Sequence, residues 1–167
     1  MQKTNNPQGK WTVIFFLIAL LVVAADQLSK IWIRYNLAIG QSLPETGFFR
    51  LTHIHNTGAA FGLFHGQSFP LTIVALVGIV ILLLYVLIGH HHFPFSNNRL
   101  SKIALGLVLG GTTGNLIDRL QFGYVTDFIA VGIWPSFNIA DSAIVVGTII
   151  FAYSLISSAR RENSSIQ

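Results

Sequence analysis

Residues 69–89 read FPLTIVALVGIVILLLYVLIG and contain no charged side chain. A helix that crosses a bilayer needs about 20 mostly apolar residues, so this stretch is long enough to be one. The whole chain is similar in character: of its 167 residues 52% are hydrophobic and 10% are charged, against about 25% charged in an average soluble domain. This composition excludes an ordinary soluble domain, a coiled coil and a disordered chain.

Three further segments are apolar enough to span a membrane. The predicted transmembrane helices therefore cover residues 11–34, 69–89, 102–119 and 139–159. Because a helix satisfies its own backbone hydrogen bonds in lipid, we expect an all-α polytopic membrane protein with four transmembrane helices, in a single domain over residues 1–167. The uncharged part of the first span ends in Val23-Ala24-Ala25, as a cleavable secretory signal would, but Asp26, Lys30 and Arg34 continue its helical spacing and favour a retained helix.

Basic residues are divided unevenly between the two sides of this predicted topology. An even number of spans places both termini on one side, which carries six Lys or Arg and one acid, whereas the other side carries four basic residues and five acids. The six basic residues are Lys3, Lys10, Arg99, Lys102, Arg160 and Arg161. Because Lys and Arg are enriched in cytoplasmic segments, we expect both termini in the cytoplasm. The net charge of +4 then indicates orientation rather than nucleic-acid binding.

Two segments are predicted to lie on the outer side. Residues 36–68 contain turn-forming glycines and a strand-like stretch at Phe48–Ile54, which predicts a short sheet against the membrane. Residues 120–137 are predicted to form a second outer loop, in which Trp134 suits the membrane interface.

The third span is predicted to pack closely against another helix. Gly106, Gly110 and Gly114 are spaced four residues apart, and such a row of small residues lets two helix backbones approach. Three polar residues lie at the end of this span: Asn115, Asp118 and Arg119. We expect them to form a structural hydrogen-bond network.

The predicted spans also end in aspartates on the outer side. A charge at the centre of a bilayer costs about 2.5–3.5 kcal/mol on insertion scales, so several acids at this level call for an explanation. Asp26 and Lys30 are four residues apart on one helix face, which predicts an ion pair at the membrane interface. Asn138 and Asp141 open the fourth span, where either residue type can cap a helix.

Asp127 has no such simple explanation. It lies in the apolar stretch Val125–Ile129, where a carboxyl group should have a raised pKa unless a charge compensates it. Asp127 and Asp141 flank one short segment, so their side chains can meet at its base. Two converging carboxyl groups share one proton, so the ionised one can deprotonate a water while the protonated one polarises a carbonyl. This is the chemistry of an aspartic protease, which needs no cofactor and no metal.

Other chemistries are weaker. Ser29 and Lys30 diverge by about 100° on a helix, which disfavours a Ser/Lys nucleophile pair. His53 and His55 share a strand face, where a surface role outweighs a metal site, and His90–His92 lies on the inner side, away from the acids. The absence of cysteine excludes disulfides and thiolate chemistry.

A small proton-coupled membrane transporter is the alternative function, since intramembrane carboxylates often mark ion pathways. The four aspartates cluster at one end of the spans instead of following a path, which disfavours a transporter. A purely structural membrane subunit would leave the aspartates unexplained.

Five blocks in order resemble the bacterial lipoprotein signal peptidase family, also called signal peptidase II, a family of membrane aspartic peptidases. The blocks are DQLSK (26–30), NTGAAFG (56–62), GGTTGNLIDR (110–119), VTDF (125–128) and FNIADS (137–142). The resemblance implies that Asp127 and Asp141 are the catalytic dyad. The residues that it implies as substrate-binding or site-supporting are Asp26, Lys30, Asn56, Gly58, Asn115, Asp118, Arg119, Asn138 and Ala140.

The resemblance also implies a substrate and a location. Members of the family cleave prolipoproteins just before a diacylglyceryl-modified cysteine, without a cofactor, and are inhibited by globomycin. We therefore expect prolipoproteins and membrane lipids as partners and no nucleic acid. The implied location is the bacterial cytoplasmic (inner) membrane, with a small extracytoplasmic β-cradle and loop over an active site at the outer face.

Overall fold

The structure is a computed structural model that describes residues 7–58, 66, 68–88 and 99–164. Its four long helices are α1 (Pro7–Asn36), α2 (Ser68–Leu87), α3 (Arg99–Phe122) and α4 (Ile139–Ser164). Each contains a stretch long and apolar enough to cross a membrane, by length and composition. The predicted fold class is confirmed. His90–His92 and the second half of the predicted 56–62 block lie outside the described residues.

Four short strands form one antiparallel sheet in the order β1-β2-β3-β4. They are β1 (Ser42–Leu43), β2 (Phe49–Asn56), β3 (Val125–Val131) and β4 (Trp134–Phe137). Strand β2 covers most of the predicted strand-like stretch, and the small sheet predicted from it is present.

Residues 120–137 are not the loop that we predicted, because β3 and β4 form a hairpin there. The alternation of buried and exposed residues that marks a half-buried strand is missing from β3, where most side chains are buried on both faces. Its hydrogen-bonding partner β2 lies far away in the sequence, on the other side of α2 and α3. The local signal that was not used is its composition: five of its seven residues are β-branched or aromatic, and Gly123 and Gly132 flank it.

Helix α3 lies at the centre of the bundle and packs against the other three helices, most extensively against α4 and α1. In the apolar stretch of α3, 61% of the residues are buried inside the protein, against 17% in the apolar stretch of each of the other helices. The predicted glycine row explains the contact with α1: a Cβ atom on Gly106 would lie 2.8 Å from the carbonyl oxygen of Phe15, and one on Gly110 would lie 2.7 Å from that of Ala19. The two backbones can approach this closely only because these positions are glycines.

A small apolar cluster fixes the sheet to one end of the bundle. Ile33 and Leu37, at the end of α1, pack with Phe128 of β3, and all three side chains are buried. Phe128 directly follows Asp127 in the strand. The packing of α1 against β3 therefore sets the position of Asp127 relative to the helices.

Candidate active site

The two aspartates that we predicted to meet are carried by β3 and by the first turn of α4. Asn138, the residue before α4, caps this helix: its side-chain oxygen accepts a hydrogen bond from the backbone N–H of Asp141 at 2.8 Å. In return Asp141 accepts one from the backbone N–H of Asn138 at 3.3 Å. This reciprocal arrangement is a capping box, with an aspartate in place of the usual glutamate. The predicted capping role is present, and it also fixes the Asp141 carboxylate.

Asn138 and Asn115 connect the two carboxyl groups. The Asn138 side-chain amide donates to Asp127 Oδ1 at 2.7 Å and to Asn115 Oδ1 at 3.1 Å. The Asn115 amide in turn donates to Asp141 Oδ1 at 2.8 Å. Asp127 and Asp141 are thus joined by a short chain of hydrogen bonds, and both line the same cavity.

Asp127 is only 2% exposed, and its second carboxyl oxygen accepts a hydrogen bond from the Asn56 side chain at 2.9 Å. Burial, and secondly the nearby Asp141, raise the pKa of Asp127 to about 7, against the opposing effect of the two asparagine hydrogen bonds. The carboxyl group of Asp127 is therefore able to hold a proton near neutral pH.

Lys30 lies at the centre of a second, fully buried network. Its ammonium group is 2.8 Å from Asp26 Oδ2 and 3.3 Å from Asp118 Oδ2, and it donates to Asn115 Oδ1 at 3.0 Å. The predicted pairing of Asp26 with Lys30 is present, but the pair is not at an exposed interface, because both side chains have no exposed surface. Helices α3 and α4 cover this part of α1.

Asp26 also ties α1 to the start of α4. Its Oδ1 accepts a hydrogen bond from the backbone N–H of Ala140 at 3.0 Å, one of the N–H groups that a helix leaves unpaired at its first turn. Gln27 adds a hydrogen bond to the carbonyl oxygen of Gly114 at 3.0 Å and one to Asp118 at 3.2 Å. The start of α4, and with it Asp141, is thereby held against α1 and α3.

Thr126 and Arg34 belong to the same network, and the sequence analysis did not assign them to the site. The backbone N–H of Thr126 donates to Asp118 Oδ2 at 2.9 Å, and Arg34 donates to Thr126 Oγ1 at 3.0 Å. Arg34 also lies 3.5 Å from Asp118 Oδ1. Two signals were available: Thr126 is adjacent to a candidate catalytic residue, and Arg34 follows Asp26 and Lys30 at a spacing of four residues. The partners of Thr126 lie on α1 and α3, distant in the sequence.

Arg119 and Gly58 form one edge of the site. Arg119 Nη2 donates to the carbonyl oxygen of Gly58 at 3.4 Å, and the N–H of Gly58 donates to Asn56 Oδ1 at 2.9 Å. The Nε atom of Arg119 is buried without a hydrogen-bond partner among the described residues. Every residue that we predicted to support the site is therefore connected to Asp127 or Asp141 by hydrogen bonds or ion pairs.

The cavity beside the two aspartates has a volume of about 860 Å³. Its polar wall includes Asp127, Asp141 and Arg119. The rest is largely apolar, and these lining residues come from the sheet and the start of α4: Ile54, Val125, Phe137, Ile144, Val145 and Val146. Such a cavity suits a ligand that combines a polar reacting group with a large apolar part.

His55 lines this cavity, and its neighbour His53 is buried, so His53 does not have the surface role that we predicted. His53 is 5% exposed, and its Nδ1 lies 2.8 Å from the carbonyl oxygen of Leu37, while its Nε2 lies 3.2 Å from Nε2 of His55. Burial and the neighbouring His53 and Arg34 lower the pKa of His55. Within the described ranges, no three His, Cys, Asp or Glu side chains are grouped so that they could hold a metal ion.

Four apolar helices and an acid-lined cavity at one end of their bundle define a polytopic membrane protein with an enzyme-like site. The family model described as signal peptidase (SPase) II matches residues 18–157. The chain belongs to this family.

Curated relatives and solved structures agree with this assignment. The chain is 49% identical over 137 residues to a lipoprotein signal peptidase of Dehalococcoides mccartyi strain CBDB1, covering 82% of this chain and 85% of that protein. It is 47% identical over 143 residues to one of Moorella thermoacetica, covering 85% and 92%. A solved structure described as a bacterial membrane enzyme matches with a TM-score of 0.77 at 31% identity, covering 87% of this chain and 89% of that one.

Family membership makes the protein a peptidase that removes the signal peptide from prolipoproteins. The resemblance noted in the sequence is confirmed, and the alternative of a proton-coupled transporter is set aside.

Proposed function

We propose that Asp127 and Asp141 are the catalytic dyad of this peptidase. The observation that carries the proposal is the chain of hydrogen bonds through Asn138 and Asn115, which holds the two carboxyl groups at one wall of one cavity. Each aspartate has amide donors on its oxygens, so neither is free to rotate away from the cavity.

The two aspartates take different roles. The raised pKa of Asp127 supports it as the group that holds the shared proton at neutral pH. With the shared proton on Asp127, Asp141 acts as the general base, and hydrogen bonds from Asn115 and from the backbone of Asn138 fix its position. Asp141 takes a proton from a water, whose oxygen bonds to the scissile carbonyl carbon. Asp127 donates a hydrogen bond to the carbonyl oxygen, and as the C–N bond breaks the leaving amine receives a proton from the dyad.

The substrate that we propose is a diacylglyceryl-modified prolipoprotein, cleaved just before the lipidated cysteine. The apolar wall formed by Ile144, Val145 and Val146 supports this, because acyl chains or an apolar signal peptide can lie along it while the peptide bond reaches the aspartates. Membrane lipids are the surrounding partners. We expect globomycin to occupy the same cavity and to compete with substrate.

The remaining network residues position the dyad or contact the substrate. Lys30, Asp26 and Asp118 hold Asn115 and the start of α4, so they act through the residues that bind Asp141. Arg119 lies on the cavity wall beside both aspartates, where its guanidinium group can bind a substrate carbonyl.

We further propose that the protein lies in the bacterial inner membrane as a single domain, with spans at about residues 11–34, 69–89, 102–119 and 139–159. Both termini are cytoplasmic and the dyad is at the outer face. The distribution of Lys and Arg in the sequence supports this orientation.

The test is cleavage of a purified, lipidated prolipoprotein by the purified protein. Asp127→Asn and Asp141→Asn should each lower the rate by at least about 100-fold, the contribution typical of general acid–base groups. Glu45→Gln is the control, because Glu45 is an exposed acid that does not line the cavity. Full activity in both aspartate variants would refute the dyad.

A further inference from the structure

A second cavity, of about 250 Å³, lies at the end of the bundle opposite to the dyad. It is formed where α3 begins and α4 ends, and its lining residues are Arg99, Leu100, Ser154, Ser157, Ser158 and Arg161. None of these six residues is acidic. At roughly 30 Å³ per water, the cavity has space for about eight waters, enough for a phosphate group and its hydration.

The side of this cavity formed by α4 is a polar stripe. Ser154, Ser157, Ser158 and Arg161 follow the spacing i, i+3, i+4 and i+7, which brings them onto one helix face. Serine is common where membrane helices pack, because it is small and its hydroxyl can form a hydrogen bond across the contact. At the buried base of the stripe, the Ser154 hydroxyl lies 2.9 Å from that of Ser101 on α3. The stripe therefore provides hydroxyl donors inside the helix–helix contact.

The opposite side presents Arg99, whose guanidinium carbon lies 4.8 Å from the centre of the Trp11 ring. Stacking on an aromatic ring restricts the side chain at low cost. Arg99 and Arg161 thus bring two guanidinium groups to the wall of one small cavity. The planar guanidinium fork fits phosphate oxygens particularly well.

Arg99 begins the apolar span of α3, and Arg161 ends that of α4, so lipid headgroups are expected at the level of the cavity. Leu100, which lines the cavity, is 47% exposed and can contact acyl chains. Basic cavities between transmembrane helices at this depth bind anionic headgroups. We propose that this cavity is a binding site for the headgroup phosphate of an anionic phospholipid.

The test measures lipid binding to the full chain in detergent by native mass spectrometry, with phosphatidylglycerol and phosphatidylcholine at equal concentration. Wild type should retain one phosphatidylglycerol in preference to phosphatidylcholine. In Arg99→Gln/Arg161→Gln the affinity for phosphatidylglycerol should fall about thirtyfold, from the typical contribution of a basic residue near an anionic surface. Arg160→Gln is the matched control, because Arg160 is exposed and does not line the cavity.

A serine variant and a competition measurement with phosphate complete the test. Ser157→Ala/Ser158→Ala keeps both arginines and should weaken binding severalfold, and it decides the matter if the arginine variant does not fold. Inorganic phosphate at the lipid concentration should not displace phosphatidylglycerol. Displacement by phosphate, equal binding of the two lipids, or the same loss in Arg160→Gln as in the double variant would overturn the proposal.

Discussion

Asparagine side chains hold the carboxyl groups of this site in place. An asparagine amide both donates and accepts hydrogen bonds, whereas a carboxylate only accepts. Asn115 therefore accepts from Lys30 while donating to Asp141, and so connects the buried cation to the dyad. An aspartate at position 115 would face Asp141 with acceptors only, so the amide is required there for chemical reasons.

Replacing Asn56 by Ala should change the pH dependence of cleavage. The Asn56 amide donates to Asp127 and lowers the pKa of that carboxyl group, which is otherwise raised to about 7. Without this donor the pKa rises further. Activity that needs a protonated Asp127 is lost as the pH rises through this pKa, so the alkaline limb of the rate profile should move to higher pH.

The measurement is the rate of prolipoprotein cleavage between about pH 5 and pH 9, where carboxyl groups with a raised pKa titrate. Asn36→Ala is the control, because Asn36 is exposed at the end of α1 and its side-chain amide donates to the carbonyl oxygen of Trp32 rather than to Asp127. An alkaline limb that stays in place, or moves to lower pH, would contradict the role of Asn56 and the protonated state of Asp127.

Replacing Lys30 by Met should destabilise the fold strongly. The substitution leaves Asp26 and Asp118 buried without their shared cation, and breaking a buried pair in this way typically costs about 3–5 kcal/mol. For a chain of this size the midpoint of thermal unfolding in detergent should fall by about 10 °C.

Lys102→Met is the matched control for that variant. Lys102 is 4% exposed and also lies on a membrane helix, but no described carboxylate lies within ion-pair distance of it. Its replacement should leave the unfolding midpoint unchanged or raise it. Equal midpoints for the two variants would show that the buried ion pairs are not what Lys30 contributes to stability.

Local sequence was enough to identify most residues of the candidate site, but not to predict which of their side chains are buried. Asp127 stood out because it is an acid in an apolar segment, and the neighbouring blocks resembled a known family. The burial of Asp26 and Lys30 could not be predicted, because it depends on how α3 and α4 cover α1. Thr126 was missed for the same reason, since its partners Asp118 and Arg34 lie on other elements.

At the scale of elements, the helices were predicted and half of the sheet was not, although the β-branched and aromatic residues of β3 were a local strand signal. An apolar run of membrane-spanning length is a strong local signal, and the four helices follow those runs. Strand β3 is short and buried, and its pairing with β2 joins segments that are separated by two helices. Long-range pairing of this kind leaves little trace in a single sequence.

The close contact of α1 with α3 gives a prediction about Gly110. A Cβ atom at Gly110 would lie 2.7 Å from both the carbonyl oxygen of Ala19 and the Cβ of Val22, so Gly110→Ala forces the helices apart. Overpacking of this kind typically costs about 1–3 kcal/mol. The thermal unfolding midpoint in detergent should fall accordingly.

Gly78→Ala on α2 is the corresponding control. A Cβ atom at Gly78 would meet nothing within 4 Å, and alanine favours a helix over glycine by up to about 1 kcal/mol. This variant should be neutral or slightly more stable. If Gly110→Ala is as stable as Gly78→Ala, the close approach of α1 and α3 is not required for the fold.

At the scale of the whole molecule, the two ends of the bundle differ in chemistry. One end carries the sheet, the dyad and the buried aspartates, and the other carries Arg99, Lys102, Arg160 and Arg161. The groups that we propose as catalytic therefore lie at one end of the apolar spans, where we expect a lipidated peptide to reach water without leaving the bilayer. We expect the basic end to face the cytoplasm, and it forms the cavity that we assign to an anionic lipid.

The chain contains no cysteine, so its orientation can be tested with single introduced thiols. Glu45 lies between β1 and β2 at the end with the dyad, Arg160 lies near the end of α4, and both are exposed. In intact spheroplasts, a membrane-impermeant maleimide should label Glu45→Cys and should label Arg160→Cys only after the membrane is permeabilised. Cleavage activity of each variant confirms that it is folded. Labelling of Arg160→Cys in intact spheroplasts, with Glu45→Cys protected, would place the dyad on the cytoplasmic side and reverse the topology that the positive charges predict.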